Sequence, residues 1–276
     1  DILCVSDTAG YAGGGSKVYL SKDGGATWTP IAESPGGAPL LALSFVDGGR
    51  GWAAGGRGAQ DACAQPGCKS TILFTPDKGE SWTVQDSSVT TRVTDIHMLT
   101  DKEGFAVTEK SGAVDGDVIV TLDGTTWKKA ARPLAGFSGT AVRATATHVF
   151  VASANKLFRS ANPPGAWTEV DSTPSGTIPI LDIAARTPTE IWWVAGGQVR
   201  TSASSGAAGS WSTPANIPNF MTTAENRRIL FLASAPLIGW ILSRNASSGT
   251  SEVFRTVNGG GSGAGAWTPS LVAASS

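Results

Sequence analysis

The side chains of this sequence best placed for chemistry are acids in a recurring frame. Asp23 lies in Ser21-Lys-Asp23-Gly-Gly25-Ala-Thr27-Trp28, Asp77 in Thr75-Pro-Asp77-Lys-Gly79-Glu-Ser81-Trp82, and Asp123 in the one-residue-shorter Thr121-Leu-Asp123-Gly124-Thr-Thr126-Trp127. A carboxylate two residues after a hydroxyl and just ahead of a glycine can cap the N–H groups of a tight turn while the glycine takes positive φ. This predicts that Asp23, Asp77 and Asp123 shape turns rather than catalyse, with Gly25 and Gly79 in the turn and Trp28, Trp82 and Trp127 folded back over it. Asn162 with Trp167, and Asn258 with Trp267, keep the frame with an amide in place of the acid.

Two further acids, Asp95 and Asp182, begin apolar segments. As a facing pair they would suit the acid and base of a glycoside hydrolase; the alternative is that they start inner strands and face a wet channel. Cys63 and Cys68 bracket Ala-Gln-Pro-Gly, a loop that either closes a local disulfide or leaves two free thiols. His97 and His148 fall in separate repeats, so no metal site is expected, and no nucleophile elbow, phosphate loop, His-Glu-x-x-His or calcium loop is present. No cofactor is expected. Asn245-Ala-Ser247 is a glycosylation sequon in a Gly/Ser-rich loop. Arg227, Arg228, Arg244 and Arg255, after Arg143, Lys156 and Arg159, outnumber nearby acids, either as a basic patch or as solvated side chains.

The elements that must carry these residues follow from composition and period. Glycine (35 residues), ten tryptophans and 16% charged residues describe a turn-rich, aromatic-cored all-β chain. With 21 basic and 22 acidic residues the formal charge is −1, which gives no overall field to draw nucleic acid or anionic membrane. No apolar run approaches the roughly 20 residues of a membrane helix. A start at Asp1 fits either a mature form after leader removal or a fragment, and the expected location is extracytosolic: secreted, surface, periplasmic or thylakoid-lumenal.

Turn-ending tryptophans at 28, 82, 127, 167, 211 and 267 stand 54, 45, 40, 44 and 56 residues apart. Ahead of each turn runs a small-residue strand with one aromatic (Gly10-Tyr11, Gly51-Trp52, Gly104-Phe105, Val149-Phe150, Trp192-Trp193, Gly239-Trp240), and ahead of that an apolar strand. Four strands per unit at this period predict a β-propeller of four-stranded antiparallel blades. Six blades are expected, with seven as the alternative, at about 1–34, 40–88, 93–133, 139–172, 180–217 and 227–272 of a single domain spanning 1–276.

The Ser-x-Asp-x-Gly-x-Thr-Trp frame with its Gly-Trp-Ala strand resembles the Asp-box (BNR) repeat propellers. Residues 43–55 with 72–82 are most similar to the photosystem II stability/assembly-factor type, and sialidase and sortilin propellers are more distant. A sialidase would need a Tyr nucleophile, an arginine triad and an Arg-Ile-Pro segment; that segment is absent, and the tyrosines are Tyr11 and Tyr19. The resemblance implies a non-enzymatic interaction scaffold or assembly subunit binding a protein, such as a membrane-protein or surface complex. The expected face is the loop end opposite the aspartate turns, where 56–70, 110–117, 213–226 and 245–251 are long. A carbohydrate-binding propeller or sialidase-like hydrolase is the alternative.

Overall fold

The computed structural model of the chain describes residues 1–4, 9–46, 49–56, 70–85, 87, 89–212, 215–216, 224–232, 235–245, 251–260 and 267–273. Its regular structure is β, apart from one 3-10 turn at Pro35–Gly37 among the described residues. The strands belong to two compact units, Asp1–Ala144 and Thr145–Ser276.

In the first unit, β1 (Ile2–Cys4), β2 (Gly10–Gly14), β3 (Lys17–Ser21) and β4 (Thr29–Glu33) pair in sequence order as the first sheet. The second sheet is β5 (Leu40–Val46), β6 (Arg50–Gly56), β7 (Ser70–Thr75) and β8 (Thr83–Gln85), and the third is β9 (Val93–Met98), β10 (Gly104–Thr108), β11 (Val118–Thr121) and β12 (Lys128–Ala130). Strand β13 (Gly139–Ala144) ends the unit, packed on β9 and β10. In the second unit, β14 (His148–Ser153), β15 (Lys156–Ala161) and β16 (Thr168–Ser172) are the last three strands of the fourth sheet. The fifth is β17 (Asp182–Ala185), β18 (Ile191–Ala195), β19 (Gln198–Ser202) and β20 (Ala215–Asn216). The sixth is β21 (Ala224–Leu232), β22 (Ala235–Asn245), β23 (Ser251–Thr256) and β24 (Thr268–Ala273). All pairings within these sheets are antiparallel.

In three sheets the glycine before the aromatic has a packing reason. A Cβ on Gly51 would lie 2.2 Å from the Phe45 ring, one on Gly104 2.1 Å from Met98 Sδ, and one on Gly239 2.6 Å from the Phe231 ring. In each case the large side chain belongs to the residue paired with that glycine on the first strand of its sheet. The second strands β10 and β18 are buried along their whole length, while the edge strands β4 and β12 carry no fully buried residue. Sheets with two apolar faces must stack, and the cores lie between consecutive ones. Trp52, Ile72, Val93, Ile96, Ile119 and Trp127 join the second and third sheets, and Trp192, Val194, Ile229, Ile241, Phe254 and Trp267 join the fifth and sixth.

Candidate interaction face

The aspartate turns are closed by short local bonds. Ser21 Oγ donates to Asp23 Oδ1 (2.9 Å), Gly25 N to Ser21 Oγ (2.8 Å), Thr27 N to Asp23 Oδ1 (2.9 Å), Thr27 Oγ1 to Asp23 Oδ2 (2.6 Å), and Trp28 Nε1 to the Gly25 carbonyl (3.1 Å). The turn built on Thr75, Asp77, Gly79, Ser81 and Trp82 repeats all five bonds. In the shorter third turn Asp123 Oδ1 accepts from Thr125 N and Thr126 N (2.8 and 2.7 Å), and the Trp127 indole donates instead to Gln85 Oε1 in β8 (2.9 Å).

The hydroxyl and N–H of Thr27 hold the Asp23 carboxyl down to about 2, the Ser81 hydroxyl and N–H lower Asp77, and the N–H groups of Thr126 and Thr125 lower Asp123. Carboxyls this acidic stay charged near neutrality and lack the raised pKa of a general acid. In the amide turns Thr256 Oγ1 donates to Asn258 Oδ1 (2.8 Å), with Trp267 buried beside it. Asn162 Nδ2 donates to the Thr145 carbonyl (3.2 Å), and Trp167 is half-buried. Asn162 Oδ1 is buried without a partner among the described residues; the next two residues, Pro163 and Pro164, have no N–H to offer it.

The facing-acid expectation is corrected by burial. Asp95 and Asp182 are 4% and 2% exposed, not open to a wet channel. Asp95 Oδ2 accepts from Val142 N in β13 (2.8 Å). Asp182 Oδ2 accepts from Ile229 N in β21 (2.8 Å), while its Oδ1 takes Ile183 N (2.9 Å) and faces Arg228 Nη1 at 3.6 Å. Both carboxylates are committed to main chain. Tyr11 is equally committed: its hydroxyl donates to the Lys78 carbonyl (2.8 Å), its ring stacks on Phe45 at 3.9 Å, and burial raises its pKa, the opposite of an activated nucleophile.

His97 is fixed as a neutral imidazole. Arg143 Nη1 donates to its Nδ1 (3.0 Å), leaving the proton on Nε2, which faces the Ala144 carbonyl at 3.2 Å. Burial, then the Arg143 charge, push its pKa down to about 3 from 6.5. As pH falls from about 6.5 toward about 3, the unfolded chain takes a proton that the folded chain refuses, so stability is complete above 6.5 and is lost downward at up to about 1.4 kcal/mol per pH unit. Melting temperatures from pH 7 to 4 should fall less steeply for His97→Gln than for the native chain. The depressed aspartates add their loss below about 4, as pH approaches about 2 for Asp23.

Opposite the aspartate turns, the turns joining β2 to β3, β14 to β15 and β18 to β19 are two residues long, whereas β10 and β11 are joined by 109–117. This loop is rigidly cross-bonded. Its tip is a paired Ser111–Val114 turn; Lys110 N donates to Ser138 Oγ (3.0 Å), Gly116 N to the Phe137 carbonyl (2.7 Å), and Gly136 N to Asp115 Oδ2 (2.9 Å). Lys110 and Arg132 lie 3.3 and 3.6 Å from Asp115, and Lys129 lies 2.8 Å from Asp117. The acids sit beneath the bases: side-chain exposure is 23% for Asp115 and 11% for Asp117, against 42% for Lys110, 53% for Lys129 and 43% for Arg132. Val114 stands 51% exposed at the tip, and Phe137 is fully buried below.

A Cβ on Gly116 would lie 2.1 Å from the Thr108 carbonyl and 3.0 Å from that of Phe137, both main chain and unable to swing aside. Gly116→Ala should therefore lower stability by about 1–3 kcal/mol and release the loop. Urea midpoints and faster tryptic cleavage after Lys110 would register it.

The later basic residues are mostly engaged within the chain. Arg143 bonds His97, Lys156 pairs with Glu169 (2.7 Å), Arg159 donates to the Ser205 carbonyl (2.9 Å) and Arg228 faces Asp182, while Arg255 is exposed. Arg227 and Arg244 lie in β21 and β22, and Asn245 ends β22; their side chains, like Cys63, Cys68 and most of 56–70, 213–226 and 245–251, lie outside the described residues. Sequence reasoning missed the Lys110–Arg132 cluster because its cations are interleaved with acids. The signal was the run Lys128-Lys129-Ala-Ala-Arg132. Among the described residues no three His, Cys, Asp or Glu side chains are grouped to hold a metal ion, and no helix is long and apolar enough to cross a membrane.

No protein-family model and no curated protein matches the sequence. Solved structures do. The chain is similar to YCF48 bound to D1 peptide (17% identity, 98% of this chain and 80% of that one, TM-score 0.66) and to YCF48 from Cyanidioschyzon merolae (16%, 98% and 84%, TM-score 0.64). An ancestral GH74 enzyme matches at 12% identity over 91% of this chain and 38% of its own, TM-score 0.65. At these identities the likeness is one of fold, that of a β-propeller.

Proposed function

We propose that the chain is a six-bladed Asp-box propeller working outside the cytosol as a non-enzymatic accessory or assembly subunit, which binds a segment of a membrane or surface protein complex on its loop face. The observation that carries this reading is the division of labour just described. The residues with catalytic chemistry, Asp95, Asp182 and Tyr11, are buried against main chain, whereas 109–117 and 128–138 form a stiff surface bearing Val114, Lys110, Lys129 and Arg132. A preorganised loop pair binds with little ordering cost. The likeness to YCF48, seen bound to a D1 peptide, supports a protein ligand.

Carbohydrate binding or hydrolysis is the second reading, favoured by the likeness to the GH74 enzyme. Affinity purification from the native source, with a glycan panel assayed in parallel, separates them. Stoichiometric recovery of a protein complex without glycan turnover is expected; turnover with the chain recovered alone would replace this reading with the second.

A further inference from the structure

Among the described residues most side-chain to main-chain hydrogen bonds between neighbouring sheets run in one direction, Lys110 N to Ser138 Oγ (3.0 Å) in the loops being reversed. At the aspartate-turn end, Tyr11 Oη of β2 donates to the Lys78 carbonyl (2.8 Å), Trp52 Nε1 of β6 to the Gly124 carbonyl (3.3 Å), and Arg159 Nη1 of β15 to the Ser205 carbonyl (2.9 Å). The three acceptors have positive φ, at 61°, 76° and 51°, and Gly79 and Gly206 follow Lys78 and Ser205 with positive φ as well. At the other end, on the first strands, Ser44 Oγ of β5 accepts from Met98 N of β9 (2.9 Å), and Asp95 and Asp182 hold Val142 N and Ile229 N as described. In all six bonds the side chain belongs to the earlier sheet and the main-chain group to the next element of the stack. Arg200 Nη1 to the Ser172 carbonyl runs the other way, but at 3.4 Å it is a weak bond.

The asymmetry has a physical consequence. Main-chain N–H and C=O groups are supplied by every sequence, so for these six bonds the chemical requirement rests on the earlier sheet, whereas Trp127 to Gln85 (2.9 Å), and Trp193 (2.8 Å) and Arg200 (2.5 Å) to Asp171, need a side chain on both. These turns are accordingly more than self-contained reversals. Lys78 and Ser205 occupy the left-handed region without being glycine, a conformation that costs about 1–2 kcal/mol per residue, and each turns its carbonyl to a donor waiting on the preceding sheet.

We infer that the sheets are coupled with a fixed polarity, each holding the main chain of its successor, so that a lesion in one sheet loosens the next and spares the one before. Loosening passes toward the C-terminus. A local opening equilibrium of this kind is read amide by amide.

The test is native-state hydrogen exchange on the full chain carrying Asp95→Ala or Ser44→Ala. Asp95→Ala should speed exchange in β13 about tenfold while β5 and β6 stay within about twofold, since loss of one hydrogen bond to a charged acceptor is worth that factor or more. Ser44→Ala, a milder change that keeps the fold should Asp95→Ala lose it, should speed exchange in β9 about threefold and leave β2 and β3 unchanged. Faster exchange in the preceding sheet, an equal rise on both sides, or no rise in the following element would overturn the inference.

Discussion

Asp182→Ala should lower the unfolding free energy by about 2–3 kcal/mol, because it strands a buried donor held by a charged acceptor and takes a counter-charge from the partly exposed Arg228. The Ile229 N–H in β21, 2.8 Å from Asp182 Oδ2, is left without that acceptor, and Arg228, 3.6 Å from Oδ1, loses that counter-charge. Asp182→Asn should recover part of the loss, since an amide oxygen can still accept from Ile229 N but carries no charge for Arg228. Urea unfolding of the two variants measures the order. A catalytic carboxylate would give the opposite pattern, with stability kept and a reaction lost, so the pair of substitutions also separates the architectural role from the enzymatic one.

Trp52→Ala should cost about 3–5 kcal/mol, the range for removing a fully buried aromatic. Trp52 is 0% exposed, lies 4.9 Å from the Phe74 ring centroid, and shares its core with Ile72, Ile119 and Trp127 from two sheets. Its indole N–H also meets the Gly124 carbonyl at 3.3 Å. Trp52→Phe keeps much of the volume and loses only the bond and part of the ring, so it should cost well under half as much by calorimetry. A small difference between the two would mean that the inter-sheet bond, rather than the packing, holds the second and third sheets together.

The strand and turn order was legible because its signals are local. A hydroxyl two residues before an aspartate, with a glycine after it, leaves few alternatives to a capped turn, and Gly51, Gly104 and Gly239 mark strands where Phe45, Met98 and Phe231 lie across the backbone. The ties between sheets were not legible. Tyr11 reaches the carbonyl of Lys78, and Asp95 the N–H of Val142, and a main-chain partner leaves no trace in residue type. For the same reason Asp95 and Asp182 read as channel acids. The loop face was half legible: its length at 110–117 was visible, but the burial of Asp115 and Asp117 under Lys110, Lys129 and Arg132 depends on the cross-bonds from 136–138, which no spacing announces.

The central claim, that the loop end rather than the aspartate-turn end is the binding face, is tested most directly by photocrosslinking in an extract of the native source. A photoreactive residue replacing Val114 samples the loop tip, and one replacing Leu122 samples the aspartate turn at the other end of β11; the two side chains are 51% and 63% exposed. The account predicts a discrete crosslinked protein from position 114 and none from position 122. A crosslink from 122 with none from 114 would contradict it.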